Sequence, residues 1–228
     1  MDKRLTIAPE LYERIPQLIV LSGVVDVTQP NAAKIKDYLQ QSWQGLRKEV
    51  LETGYKTQPR IAQWREALIG ARIPVKAYPP SIEAIAKRAM SVPTPFSINP
   101  IVDAYNAMSM ELILPLGAYD LDELVGNLQL RTAQKGEDFQ ALGGSSHEPT
   151  FESEIVYTDD TDVLTRQFLW RQSDKAKITD NTKHIIFVCE LLDAMGDESQ
   201  AKAEALIKSK FRELFGAEVQ NFTVDQNK

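Results

Sequence analysis

Cysteine occurs once in the chain, at Cys189, and histidine twice, at His147 and His184. A lone thiol excludes a disulfide framework and any zinc site built on cysteine pairs. Two histidines are too few for a histidine-rich metal centre, so neither a metal nor another cofactor is expected. Long apolar runs are missing too. The longest, residues 18–25, contains Ser22 and Gly23 and falls short of the ~18 residues that read as a membrane span. The opening Met1-Asp2-Lys3-Arg4 is followed by Glu10, Glu13 and Arg14, so no secretory signal is read there. The closing Asp225-Gln226-Asn227-Lys228 carries no lipidation motif. The expectation is a cytoplasmic protein without a membrane partner. Familiar catalytic signatures are also absent: there is no Gly-x-Ser-x-Gly, Walker loop, His-Glu-x-x-His or dinucleotide glycine pattern.

What is present is ordinary globular material. Of 228 residues, 43% are hydrophobic and 25% charged, which excludes wholesale disorder. A single domain over residues 1–228 is expected, large enough to bury its own core. The net charge of −6 is uneven. Residues 1–110 carry 14 Lys and Arg against 10 Asp and Glu, and residues 111–228 carry 12 against 22. An acidic total argues against non-specific coating of nucleic acid, and DNA is not an expected partner. It leaves open the docking of a structured RNA through a local basic patch.

Periodicity divides the chain. Residues 17–27 are β-branched and apolar and read as a buried strand, bulged at Gly23. Asn31 then caps a helix of about 22 residues with Ile35, Leu39, Trp43, Leu46 and Val50 on one face and Gly54 as its stop. Pro59 opens a second helix reaching Gly70. Ser81 caps a third over 82–90, and a fourth covers 101–112. Short strands follow at 128–131, 138–142, 155–158, 163–170 and 184–190, before a final helix at 199–215. A helix-rich portion to residue 112 and a strand-rich portion over 113–198 imply an α+β fold.

Three groups of residues stand out for their chemistry, and a glycine-rich segment does not. Gly143-Gly144-Ser145-Ser146 lacks a lysine and reads as a hairpin turn. Asn99, Asp103 and Asn106 crowd one helix end, either as caps and solvated polar positions or as a polar wall facing a pocket. In Trp170-Arg171-Gln172-Ser173-Asp174-Lys175-Ala176-Lys177, Arg171 and Gln172 could grip a carboxylate, carbonyl or phosphate, or belong to a strand-end ion-pair network. Glu190 ends the apolar strand His184-Ile185-Ile186-Phe187-Val188-Cys189-Glu190. Such a carboxylate is either a structural partner for a cation, with Arg171 or a bound ammonium as candidates, or an acid/base with a raised pKa. Cys189 has the opposite strand parity and reads as a buried, inert thiol, and His184 as an exposed strand-edge residue.

These residues also carry a resemblance. Asn99-Pro100-Ile101-Val102-Asp103-Ala104-Tyr105-Asn106 and Leu112-Ile113-Leu114-Pro115-Leu116-Gly117-Ala118-Tyr119-Asp120 are similar to the editing module of the β subunit of bacterial phenylalanyl-tRNA synthetase. So are Lys135-Gly136-Glu137, Leu142-Gly143-Gly144, Val156-Tyr157-Thr158-Asp159 and Thr182-Lys183-His184-Ile185-Ile186, in the same order. Arg60-Ile61-Ala62-Gln63-Trp64 and Trp170-Arg171-Gln172-Ser173-Asp174 resemble free-standing relatives of that module. The resemblance implies a β-sandwich-like mixed-sheet core of unusual topology with helices packed on it. It also implies trans-acting hydrolysis of mischarged aminoacyl-tRNA, since the synthetase module cleaves the ester joining a wrong amino acid to the tRNA. The family's Pro-Leu-His-Ala-Phe-Asp is here Pro-Leu-Gly-Ala-Tyr-Asp, so Gly117 replaces a pocket histidine. An ungapped alignment sets Val188 opposite the pocket glutamate, with Glu190 on the same strand face.

Carried onto this chain, the resemblance makes Glu190 the catalytic candidate. Asn106, Gly117, Arg171, Gln172 and Ser173 become candidates for substrate binding, and Lys175 and Lys177 for RNA contact, with tRNA as the partner. No ligase activity is expected, because nothing matches an aminoacylation site. Two alternatives stay open: a module that binds tRNA or an aminoacyl group without chemistry, and a hydrolase of another small ester or amide.

Overall fold

The computed structural model describes residues 3–226. Met1, Asp2, Asn227 and Lys228, on which the readings of the two termini partly rest, lie outside the described residues. The first half runs β1 (Leu5–Ile7), α1 (Glu10–Arg14), β2 (Leu18–Asp26), α2 (Ala32–Thr53), α3 (Pro59–Gly70), α4 (Ser81–Ser91) and α5 (Pro100–Leu112). Seven short strands follow: β3 (Leu116–Asp120), β4 (Leu128–Thr132), β5 (Asp138–Gln140), β6 (His147–Pro149), β7 (Ile155–Thr158), β8 (Val163–Arg166) and β9 (Arg171–Gln172). The chain ends with β10 (His184–Leu192), α6 (Asp197–Phe215) and β11 (Gln220–Gln226). The fold is α+β.

One antiparallel sheet has the order β11-β2-β10-β3. A second has the order β1-β4-β7-β8-β9 and is mixed, because β1 lies parallel to β4. Strands β5 and β6 form the hairpin expected around Gly143 and Gly144. The near-continuous apolar character of β2 and β10 has a simple cause: both faces are buried. Ile19, Leu21, Val25, Phe187 and Cys189 face a helical layer with Trp43, Met108 and Phe211. Residues of the other parity, Val20, Val24, Ile186 and Val188, pack on Leu128, Leu130, Tyr157 and Leu164 of the second sheet. Alternation along a strand sends successive side chains to opposite faces, so a strand between two apolar layers shows no polar period. Helices, the first sheet and the second sheet therefore stack as three layers. Among the described residues, no helix is long and apolar enough to cross a membrane.

Helix ends follow their punctuation. Asn31 Oδ1 accepts from Lys34 N at 3.1 Å, and α2 stops at Gly54 with φ +78°. Pro59 occupies the first turn of α3, and Asn99 Oδ1 caps α5 by accepting from Val102 N at 2.9 Å. Ser81 departs from expectation. Pro80 takes the cap position, and the Ser81 N–H donates instead to Leu169 O at 2.9 Å, tying α4 to a distant turn.

That turn is a second departure, since residues 163–170 are not one strand. After β8, Gln167 and Phe168 adopt φ of +50° and +64° and reverse the chain into β9, pairing Arg166 with Arg171. Buried Glu154 fixes the reversal: its Oε1 accepts from Arg166 Nε at 2.8 Å and from Gln167 N at 3.0 Å. The bulge expected at Gly23 lies instead in β11 opposite it, between Gln220 and Thr223, while β2 pairs with β10 without a break. A Cβ on Gly23 would stand 2.6 Å from Val219 Cγ1, so the bare backbone makes room for the C-terminal segment. Strands β1, β3, β6, β9 and β11 have no counterpart among the predicted elements.

Candidate active site

The three-layer stack leaves a cavity of about 230 Å³ between the β3 end of the first sheet and the β8–β9 end of the second. That exceeds the ~150 Å³ of an engineered cavity that holds benzene and falls below the ~300–1,000 Å³ of pockets for drug-sized ligands. It suits a group the size of one amino acid. Asn106 on α5, Gly117 on β3, Arg171 and Gln172 on β9 and Glu190 on β10 all line it. Five of the predicted site residues thus meet in one place although they span 84 positions.

Glu190 lines the cavity and is 2% exposed. It shares its face with Val188, as strand parity requires. Tyr157 Oη donates to Glu190 Oε1 at 2.6 Å. No cation pairs with this carboxyl among the described residues, which corrects the expected Arg171 partnership. Arg171 instead sits at the rim, its guanidinium 5.6 Å from the Trp170 ring centroid and 4.0 Å from Glu148 Oε1. Burial pushes the Glu190 carboxyl up to about 7, against the opposing pull of the Tyr157 hydrogen bond. The Tyr157 phenol is pushed upward as well, by burial first and by Glu190 second, and so stays a proton donor at neutral pH. The group sits near neutrality, where a general base works best.

Aromatic rings build the remaining wall. Tyr119 and Tyr157 have centroids 5.9 Å apart, Phe168 stacks on Tyr157 at 6.2 Å, and Tyr119 Oη shares a hydrogen bond with Thr165 Oγ1 at 2.7 Å. Trp170 closes the outer side, packed edge-on against Tyr78 at 4.8 Å. The left-handed pair Gln167–Phe168 aims Phe168, Leu169 and Trp170 at the cavity. A Cβ built on Gly117 meets nothing within 4 Å. The position where the resemblance sets a histidine is open space.

Other candidates have structural occupations. Ser173 is fully buried outside the cavity; its Oγ accepts from Lys175 N at 3.0 Å and shapes the turn after β9. Lys175 Nζ lies 3.6 Å from Asp162, and Lys177 Nζ donates to Asp174 at 2.7 Å, so nearby carboxylates offset both charges. Of the three polar groups near α5, Asn99 is the cap, and Asp103 accepts from Ser97 Oγ at 2.5 Å and Ile98 N at 2.9 Å. Asn106 alone faces the cavity. Cys189 points into the helical layer, its thiol pushed up by burial and by Glu190. His184 opens β10 and pairs with Asp122 at 2.9 Å.

A family model described as the B3/4 domain matches residues 63–223. The phenylalanine–tRNA ligase beta subunit of Bartonella henselae is 29% identical over 110 residues, which cover 48% of this chain and 13% of that subunit. The corresponding subunit of Tropheryma whipplei is 33% identical over 90 residues, covering 40% and 9%. The chain therefore matches only a small part of the length of these relatives. A solved N-terminal fragment of the phenylalanyl-tRNA synthetase beta-subunit from Pyrococcus horikoshii superposes with a TM-score of 0.53 at 9% identity, covering 96% of this chain and 51% of the fragment. That likeness is one of fold.

Proposed function

The chain belongs to the B3/4 domain family, and from that premise we propose that it hydrolyses, in trans and in the cytoplasm, the ester linking an amino acid to tRNA. The observation that carries this reading is Glu190: a buried carboxyl with no cation partner among the described residues, held near neutrality in the lining of a cavity of amino-acid size. An aminoacyl ester is already activated, so a positioned water and a cradle for the developing oxyanion suffice. The water oxygen attacks the ester carbonyl carbon while its proton passes to the Glu190 carboxylate. The carbon–oxygen bond to the ribose then breaks, and the ribose oxygen takes that proton back from Glu190. Asn106, Arg171 and Gln172 orient the acyl group.

For tRNA, the exposed Arg72 and Lys76 lie on the loop whose Tyr78 packs against Trp170 of the cavity wall. Neither forms an ion pair among the described residues, whereas Lys175 and Lys177 face Asp162 and Asp174.

A second reading is a module that binds the aminoacyl end without cleaving it. Gly117 favours it, because the cavity lacks the side chain found there in the family. Deacylation assays over a panel of correctly and incorrectly charged tRNAs separate the two. Release of amino acid from particular mischarged tRNAs supports hydrolysis. Tight binding without release supports the second reading, and tRNA-independent turnover of simple aminoacyl esters would overturn both in favour of a general esterase.

A further inference from the structure

Strand β3 is an edge strand whose outer side faces the cavity rather than bulk water. Its pairing with β10 sets Gly117 opposite Val188 and Tyr119 opposite Ile186. Glu190 N donates to Pro115 O at 3.1 Å, and Leu121 N donates to His184 O at 2.9 Å. Backbone groups alternate in direction along an antiparallel pair. Residues 115, 117, 119 and 121 therefore spend theirs on β10, and Leu116, Ala118 and Asp120 turn theirs outward. On that outer edge Asp120 N donates to Ala176 O at 2.9 Å, and Ala118 O accepts from Gln172 Nε2 at 3.3 Å. The backbone groups of Leu116 and the N–H of Ala118 have no partner among the described residues. Both residues are buried, at 5% and 2% exposure, and both line the cavity. Buried main-chain groups in native proteins are paired, with protein or water, in more than about 90% of cases, so open groups at Leu116 and Ala118, on either side of Gly117, mark a place where something binds.

The spacing says what. A carbonyl at one residue and an N–H two residues on are the acceptor and donor that a single residue of a parallel strand uses, its own N–H entering the first and its own carbonyl accepting from the second. An α-aminoacyl group carries an amine and a carbonyl in that same relation. We infer that the edge of β3 holds the aminoacyl group as a one-residue strand, its amine donating to Leu116 O and its carbonyl oxygen accepting from Ala118 N–H. The group lies across Gly117, where the missing side chain leaves the room it needs. This inference rests on the aminoacyl reading above and adds how the group is recognised. It is strand addition reduced to one residue. The Ala118 N–H then also meets the oxygen on which negative charge develops during attack. The ligand class it selects is an acyl group with a free α-amine, whatever its side chain.

Isothermal titration with two non-hydrolysable probes tests this. One is 3′-deoxy-3′-(L-alanylamino)adenosine, whose methyl side chain fits any pocket; the other is its propionyl counterpart, which lacks the amine. Wild-type protein is expected to prefer the alanyl probe about tenfold or more, the range for a hydrogen bond from a charged donor. Ala118→Pro removes the donor at an edge position where proline is tolerated. It should weaken both probes several-fold while keeping the preference between them. A backbone ester at position 118 removes the same N–H without the proline ring and should give the same loss. Equal affinity for the two probes, no binding of either, or undiminished binding by both 118 variants would overturn the inference. Binding as expected with a silent deacylation panel would overturn hydrolysis and leave the docking intact.

Discussion

Glutamine in place of Glu190 isolates the cost of burying a carboxyl beside a phenol with no cation. The group ordinarily titrates near ~4.3; in the folded protein burial carries it to about 7. Below pH ~4 it is protonated in both the folded and the unfolded chain and does not affect the balance. Between those values the unfolded chain releases the proton and the folded one keeps it, so stability falls as pH rises. It levels off above pH 7, having lost roughly 4 kcal/mol at ~1.4 kcal/mol per unit. Glu190→Gln still accepts from Tyr157 and does not titrate. The variant should match the parent near pH 4.5 and exceed it by roughly 4 kcal/mol at pH 8, or about 8–16 °C in melting temperature for a chain this long. Urea denaturation of both proteins at the two pH values reads the difference directly, and all other titrating groups cancel in it. If Glu190 is the general base, the same variant should lose about 10²–10⁴-fold in kcat/KM. A stability difference that does not change between pH 4.5 and pH 8 would refute the assignment of a buried, cation-free carboxyl.

Deacylation by the parent should rise with pH through about 7 and then level, because the base must be ionised; a flat profile in stopped-time assays would count against Glu190 as the base. Gly117→His should fold normally, since its Cβ enters open space, and should change deacylation rates far more than the urea midpoint. Arg166→Ala leaves Glu154 buried without its cation and frees the Gln167–Phe168 reversal; a loss of about 3–5 kcal/mol is expected in the same denaturation assay. Binding of tRNA, followed by filter retention, should weaken steeply with salt. It should suffer more from Arg72→Ala with Lys76→Ala than from Lys175→Ala with Lys177→Ala, whose cations already face Asp162 and Asp174.

The long helices were legible because both their period and their punctuation are local. Asn31, Gly54, Pro59 and the Asn99-Pro100 pair mark ends that the fold respects to within a residue. Short strands left weaker traces. Three residues suffice for β1 because β4 supplies its partner from 123 positions away, and β11 is polar because it covers an edge. The reversal after β8 leaves no local trace, since Gln167 and Phe168 are not turn residues; a buried carboxylate elsewhere, Glu154, holds them in place. The site was legible in its members and not in its pairings. Asn106, Gly117, Arg171, Gln172 and Glu190 could be named from the ordered resemblance, and they do meet at the cavity. That Glu190 bonds to Tyr157 follows from how two sheets stack, which no spacing along one strand encodes. The sign that pointed toward it was an unpaired acid in an apolar strand, which requires a donor from somewhere.

Strand β11 has a consequence outside the chemistry. Eight of the nine residues of β2 are buried, and the run is rich in valine, isoleucine and leucine. A strand of that kind with a free edge is a template for further strands, in the manner of fibril growth. Here the edge is occupied by Gln-Asn-Phe-Thr-Val-Asp-Gln, tied across by Ser22 Oγ and Thr223 Oγ1 at 2.8 Å and interrupted where Asn221 adopts φ +49°. The outermost strand is thus polar and irregular, and its acid, Asp225, resists self-pairing. A protease cut before Gln220 would leave the cavity residues on their own strands and expose β2. Its first visible effect would be on the colloidal behaviour of the protein rather than on any reaction it performs.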